Sequence, residues 1–287
     1  MLIVDSQVHI WAGDSPDRPW PTGTKERARE HGAKPLSAEV LLEQMNAVGV
    51  DRAILVPPSF EGDRNDVVLE AAQKYAPRFG VMGRITLNQP EKALQSLEDW
   101  KMHPGALGVR LTFSAGFSES RGIGHSWLTD GTANWFWPVA EQRQIPVMIN
   151  GSGSGSLEPL RDIARSYPKL KMTVDHFGLA PSEKDEAALA GVRRTSLLAS
   201  EPNISVKASC GPLYTTAAYP FPIVQECIQL LVDSFGSSRV FWGSDLSRLP
   251  CTYKESVELV RSECAFLSQE DRELVLGRGL MEWLDWN

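Results

Sequence analysis

Two short stretches near opposite ends of the chain carry groups able to ligate a metal or transfer a proton. Leu2-Ile3-Val4-Asp5 reads as a strand and breaks into Ser6-Gln7-Val8-His9, while Val240-Phe241-Trp242 breaks into Gly243-Ser244-Asp245. If the strands between them repeat in parallel and the chain closes, an imidazole and a carboxylate become neighbours across more than two hundred residues. Other strand-like segments deliver Ser59, Arg84, Arg110, Asn150, His176 and Lys207 near their ends. Buried polar or charged side chains cost several kcal/mol unless paired, so a mere scaffold would avoid this concentration. Each residue also has a plainer reading. His9 alone could be a satisfied structural group, and Asp245 after Gly-Ser could cap a helix. Arg110 and Lys207 are fixed positive charges suited to an anionic substrate, since a guanidinium fork matches a carboxylate. They could instead form structural pairs with Asp5 or Asp175.

The elements that must position these residues alternate. Strand-like runs occur at 2–5, 52–57, 79–85, 106–112, 145–150, 170–175, 203–208 and 239–243. Most are near-continuous apolar runs, as expected of strands covered on both faces. Helical patterns lie between them, at 37–48, 65–76, 90–101, 133–143, 157–167, 184–199, 222–234 and 269–284. In the first, Ser37 can cap, Leu41, Leu42, Met45 and Val48 form one stripe, and Gly49 stops the helix. Pro90, Pro159 and Pro222 sit near helix starts, where a missing N–H costs little. Eight strands alternating with helices predict an α/β fold, a distorted (β/α)8 TIM barrel forming one domain over 1–287. A doubly wound sheet is the rival, but residues 6–9 offer no glycine-rich turn.

Two long connections, 10–36 after the first strand and 113–132 after the fourth, fall on the face where barrel enzymes build their sites. Trp11, Trp20 and Trp127 in them could cover a small substrate, or the loops could shield the mouth or meet another subunit. His31, His103 and His125 are read as surface or lid residues. The run 151–156 is Gly-Ser repeated; as a strand-to-helix joint it could cradle an anion or be a flexible loop.

Composition excludes several classes. A net charge of −7 and no Lys/Arg cluster argue against nucleic acid. No run of eighteen apolar residues suggests a membrane span, and Met1–Asp5 lacks the features of a signal peptide. Cys210, Cys227, Cys251 and Cys264 are scattered, without a C-x-x-C pair, and read as reduced structural thiols. The cytoplasm is the expected compartment. Nine tryptophans would suit an interface, so a homo-oligomer stays open.

The pattern resembles the amidohydrolase superfamily, in particular the amidohydrolase-2 branch with lactonases of sugar acids and of 2-pyrone-4,6-dicarboxylate. The resemblance covers nearly the whole chain. It is carried by Val4-Asp5-Ser6-Gln7-Val8-His9-Ile10-Trp11, Val109-Arg110, Val174-Asp175-His176-Phe177-Gly178, Val206-Lys207 and Trp242-Gly243-Ser244-Asp245. The family's first strand ordinarily ends in His-x-His, and its sixth-strand His and eighth-strand Asp correspond to His176 and Asp245. Here the first His is Gln7, and Asn150 ends the fifth strand where metal-dependent members carry a ligand. Neutral amides are poor ligands for a divalent ion. The resemblance therefore implies a reaction without a cofactor, with a divalent metal on His9, His176 and Asp245 as the alternative.

The implied activity is hydrolysis of a lactone or related carbonyl compound bearing a carboxylate. Asp245 would be the general base, and His9 and His176 would donate hydrogen bonds to the oxyanion with Gln7 or Asn150. Arg110 and Lys207 would hold the substrate carboxylate, and Trp11 would line the pocket. Two other readings remain. One is a metal-dependent decarboxylase of an unsaturated or aromatic acid, which the losses at positions 7 and 150 weaken. The other is a non-catalytic binding protein on this scaffold.

Overall fold

The computed structural model describes residues 1–32, 34–113, 125–151 and 156–287. Eight parallel strands form one sheet in sequence order: β1 Val4–Val8, β2 Arg52–Leu55, β3 Phe79–Gly83, β4 Ala106–Thr112, β5 Val147–Asn150, β6 Met172–Val174, β7 Ile204–Ser209 and β8 Val240–Gly243. The sheet curls into a nearly closed (β/α)8 barrel, as the alternating pattern predicts.

The helices in chain order are α1 Lys25–Glu30, α2 Ala38–Val48, α3 Asp66–Lys74, α4 Pro90–Glu98, α5 Phe136–Gln142, α6 Leu157–Ser166, α7 Glu186–Ser196, α8 Pro222–Phe235, α9 Tyr253–Glu258, α10 Gln269–Glu273 and α11 Gly279–Leu284. In α2, Ser37 accepts from the Val40 amide and Gly49 ends the helix at φ 79°. Two helices escape the apolar pattern. The short α1 lies inside the long connection after β1. The equally short α9 is started by a capping box between Thr252 and Glu255. The pattern at 269–284 is not one helix: it splits into α10 and α11 around a wider turn at Leu274–Arg278. There Gly277 lies so close to β1 that a Cβ on it would meet the Leu2 carbonyl oxygen at 2.9 Å.

The strands' period of two sorts the barrel interior by height. Val4, Ile54, Val56, Met82, Met148 and Phe241 form an apolar plug with Leu280, Leu284 and Trp286 of the C-terminal segment. Two residues further along β6 and β7, the same face changes character. Thr173 and Ser205 share a hydroxyl hydrogen bond of 2.8 Å, and beyond them come Asp175 and Lys207. Arg110 of β4 follows Gly108, where a Cβ would meet the Met82 side chain at 2.7 Å, in the same way. The N-terminal end of the barrel is thus a core, and the C-terminal end is a chamber of charges. A second apolar layer, including Val8, Leu41, Val109, Val147, Leu160, Val206 and Leu231, packs strands against helices.

The seam between β8 and β1 is made by a side chain. The Asp5 carboxylate accepts from the backbone amides of Gln7 (3.1 Å) and Ser244 (2.9 Å), from the Ser244 hydroxyl, and from Tyr253 (2.8 Å). The Asp245 amide donates to the Gln7 carbonyl at 2.9 Å. Gly243 permits this approach, since a Cβ there would meet Ser6 Oγ at 2.5 Å. Burial pushes the Asp5 carboxyl up to about 6, against the pull of its hydrogen bonds from Ser244, Gln7 and Tyr253. No helix among the described residues is long and apolar enough to cross a membrane.

Candidate active site

The strands β6 and β8 deliver His176 and Asp245 through a local device that also follows β7. After β6, β7 and β8 the chain enters a tight turn through a non-glycine residue in the left-handed region: His176 (φ 52°), Cys210 (φ 56°) and Asp245 (φ 51°). Such backbone costs about 1–3 kcal/mol per residue and persists only where its surroundings enforce it. For Asp245 the enforcing contacts are those of the seam, so its carboxylate is aimed by hydrogen bonds on both β1 and β8.

Asp245 and His9 meet as the sequence predicts. His9 Nε2 lies 3.3 Å from Asp245 Oδ1, and both side chains are almost wholly buried. The other ring nitrogen, Nδ1, is 2.6 Å from the Val56 carbonyl oxygen. That oxygen can only accept, so Nδ1 carries a proton and His9 has one nitrogen left for chemistry. Burial raises the Asp245 carboxyl, but the surrounding imidazoles of His9, His176 and His31 outweigh it. The carboxyl is held below the ordinary range. Among the described residues, Asp245 Oδ1 has no hydrogen-bond partner.

His176 is buried at the end of β6, its Nδ1 2.8 Å from the Ser209 hydroxyl. Burial lowers its pKa to about 4, although Asp245 and Asp175 act in the opposite direction. The imidazole is therefore neutral at neutral pH, and its Ser209 partner can either donate or accept.

Arg110 and Lys207 converge on one carboxylate. Arg110 Nε donates to Asp175 Oδ2 at 2.8 Å, and Lys207 Nζ is 3.0 Å from Asp175 Oδ1. Arg110 also donates from Nη1 to Thr112 (3.1 Å). Of the two structural partners the sequence offers, Asp175 is the one found. Burial alone raises the Asp175 carboxyl, yet the charges of Lys207 and Arg110 hold it well below the ordinary range. The Lys207 side chain is 0% exposed; its ammonium forms an ion pair with Asp175 and donates to Gln7 Oε1 at 2.7 Å. Gln7 is fully buried, with its oxygen on Lys207 and its amide nitrogen 3.3 Å from His9 Nε2.

Asn150 ends β5 beside Thr112, half-buried at the chamber rim. Trp11 is buried in a wall with Phe60 and His31, at ring separations of 5.7 and 6.1 Å. Trp20 closes the same wall against Phe60. Ser59 begins the turn containing Phe60, and Arg84 is buried near Asp63. Most of the 113–132 connection and the interior of the Gly-Ser run lie outside the described residues, so the anion-cradle reading has no geometry to test it.

One site residue is missed by the sequence reading. His31, following α1, packs edge-on against His9 at 5.1 Å between ring centres, and its Nδ1 meets Ser247 Oγ at 2.8 Å. Burial, with the like charge of His9, lowers its pKa to about 3. The length of the connection was a signal that it covers the mouth, but not which of its residues turns inward. His103 is exposed, and of His125 only the backbone is described.

The two neutral histidines predict a pH effect. Their folded pKa values, about 4 for His176 and about 3 for His31, lie below the ordinary 6.5. Between those values the unfolded chain binds protons that the folded chain does not. Stability is then fully present above about pH 6.5 and falls as pH drops toward 4 and 3, by about 3 kcal/mol in all for His176 and about 5 kcal/mol for His31. Urea midpoints measured from pH 7 to 4 should fall steadily, and less steeply in His31→Gln. A midpoint slope that His31→Gln leaves unchanged would remove His31 from this account.

The donor set does not fit a divalent ion. No three His, Cys, Asp or Glu residues among those described lie together as ligands. The Gln7 oxygen carries an ammonium, and the remaining nitrogen of His9 faces an amide.

Comparison with known proteins agrees with this geometry at the level of family. The sequence profile of the Amidohydrolase family matches residues 4–278. The chain is 27% identical to L-fucono-1,5-lactonase of Burkholderia ambifaria, over 86% of this chain and 81% of that protein. An amidohydrolase from Burkholderia multivorans solved with bound zinc superposes with a TM-score of 0.80 at 20% identity, over the whole of both chains. A probable 2-pyrone-4,6-dicarboxylic acid hydrolase from Acinetobacter baumannii, solved with citric acid, superposes with a TM-score of 0.78 at 18% identity, over 99% of this chain and all of that one. With nearly its whole length inside that profile, this chain belongs to the amidohydrolase family of hydrolases.

Proposed function

We propose that the protein hydrolyses a lactone bearing a carboxylate, without a metal, with Asp245 as general base. The observation that carries this reading is the Asp245 carboxylate itself. It is buried, held ionised, aimed by the barrel seam, and faces the one available nitrogen of His9. Asp245 draws a proton from water as the water attacks the carbonyl. The resulting carboxylic acid donates to His9 Nε2, whose lone pair is directed at it, and the proton then passes to the leaving alkoxide. His9 thus holds the proton with Asp245. It does not donate to the oxyanion, because its only N–H is on Val56. His176 takes the oxyanion role: with Ser209 donating to Nδ1, its Nε2 carries the hydrogen. Arg110, at the chamber's charged end and paired through Nε with Asp175, is assigned to the substrate carboxylate.

The lactone is the substrate class that the related L-fucono-1,5-lactonase supports, and the Asp245–His9 geometry supports opening it without a Lewis acid. A panel of sugar-acid lactones and unsaturated dicarboxylic lactones, assayed with and without EDTA, tests the proposal. We expect turnover of at least one carboxylate-bearing lactone, unaffected by chelator. Chelator-sensitive turnover restored by zinc or manganese would overturn the metal-free mechanism. Binding without turnover across the panel would favour a non-catalytic role.

A further inference from the structure

We propose that Lys207 is a resident cation that closes this site to divalent metals, acting through Gln7 on His9. The inference rests on the metal-free reading above and adds the device that enforces it. An ammonium can only donate, so the atom of Gln7 that faces Lys207 Nζ at 2.7 Å must be the oxygen. The Gln7 side chain is thereby oriented, and its NH2 faces His9 Nε2 at 3.3 Å. Because His9 Nδ1 donates to the Val56 carbonyl, Nε2 is the ring nitrogen left to face the site, and the Gln7 amide flanks it beside Asp245. A metal ion approaching His9 would have to displace that amide. It would also enter the field of a cation with no route to solvent, since Lys207 is 0% exposed.

The charges support the same conclusion. Asp175 is already paired with Arg110, so ion pairing alone does not call for a second cation beneath the site. Lys207 reaches from β7 to the Gln7 side chain on β1, although the two strands are not ladder partners. Its position places a positive charge against the first-strand residue that a metal-binding relative would use. Gln7 and Lys207 are accordingly one unit. A histidine at position 7 would present a ring nitrogen to the ammonium, and a metal there would sit against a like charge.

Zinc binding by purified full-length protein tests this without reference to activity. The proteins compared are wild type, Gln7→His, Gln7→His/Lys207→Met and Gln7→His/Lys207→Arg. Each is incubated with zinc and desalted, then measured by elemental analysis and calorimetric titration, with thermal unfolding to establish folding. We expect no stoichiometric zinc in wild type or in the Arg double variant. The Met double variant should bind one zinc per chain, about 10- to 100-fold more tightly than Gln7→His alone. If the Met variant does not fold, Lys207→Gln in the same background keeps a donor for Asp175 and removes the charge.

Equal affinity in Gln7→His and the double variant would overturn the inference, because Lys207 would then be no barrier. Failure of every folded double variant to gain zinc would also overturn it while leaving the metal-free mechanism standing. Stoichiometric, tightly held zinc in wild type would overturn both.

Discussion

Asp245→Asn lowers turnover of the accepted lactone by about 10³-fold while leaving product affinity within a few-fold, because general-base contributions are commonly 10²–10⁴. The substitution is nearly isosteric and keeps the main-chain geometry that places residue 245, since the Asp245 amide on Gln7 and the Asp5 contacts to Ser244 do not involve the changed atoms. What it removes is the ability to accept a proton from water. An amide also alters the partnership with His9, whose Nε2 would then face either an NH2 or a carbonyl oxygen. The measurement is kcat and KM by direct assay of lactone opening, with product binding by calorimetry. A loss confined to KM would mean that Asp245 positions substrate, and activity within tenfold of wild type would remove it from the mechanism. His9→Gln should cost less than Asp245→Asn, since His9 stores the proton but does not take it first.

The elements of this barrel were legible because fully buried parallel strands read as apolar runs, and β2 to β8 all fall inside the predicted segments or within a residue of them. The polar residues after those runs were legible for the same reason: a charge such as Lys207 or Asp175 after Val-rich sequence has few structural explanations. What the residues could not reveal was pairing. Nothing in Val206-Lys207 tells whether the ammonium points to the mouth or back across the barrel to β1. That depends on strand register and on the closing of β8 onto β1, which the Asp5 carboxylate and Gly243 decide. His31 was hidden differently. It lies in a connection with no apolar period, and its position follows from a six-residue helix too short to leave a pattern. At Gln7 and Lys207 residue type announces polarity and charge, whereas the fold decides that the two meet each other.

Asp175→Asn destabilises the fold by about 3–5 kcal/mol, because it leaves Arg110 and Lys207 buried without their shared counter-charge. Both cations contact the same carboxylate, Arg110 Nε at 2.8 Å and Lys207 Nζ at 3.0 Å, and neither can move to water without breaking the strand ends that carry it. The sign of a second change separates this electrostatic account from a simple loss of packing. Adding Lys207→Met to Asp175→Asn removes a stranded charge, so the double variant is expected to be more stable than the Asn single variant. Were the effect only one of lost contacts, the two substitutions would add and the double variant would be the weaker. Urea denaturation of the four proteins at pH 7 reads this directly. Burial already lowers the Lys207 pKa while Asp175 sustains it, so the Asn variant should also lose stability less sharply as pH rises toward 10. There the stranded lysine can release its proton, and part of the cost disappears with the charge.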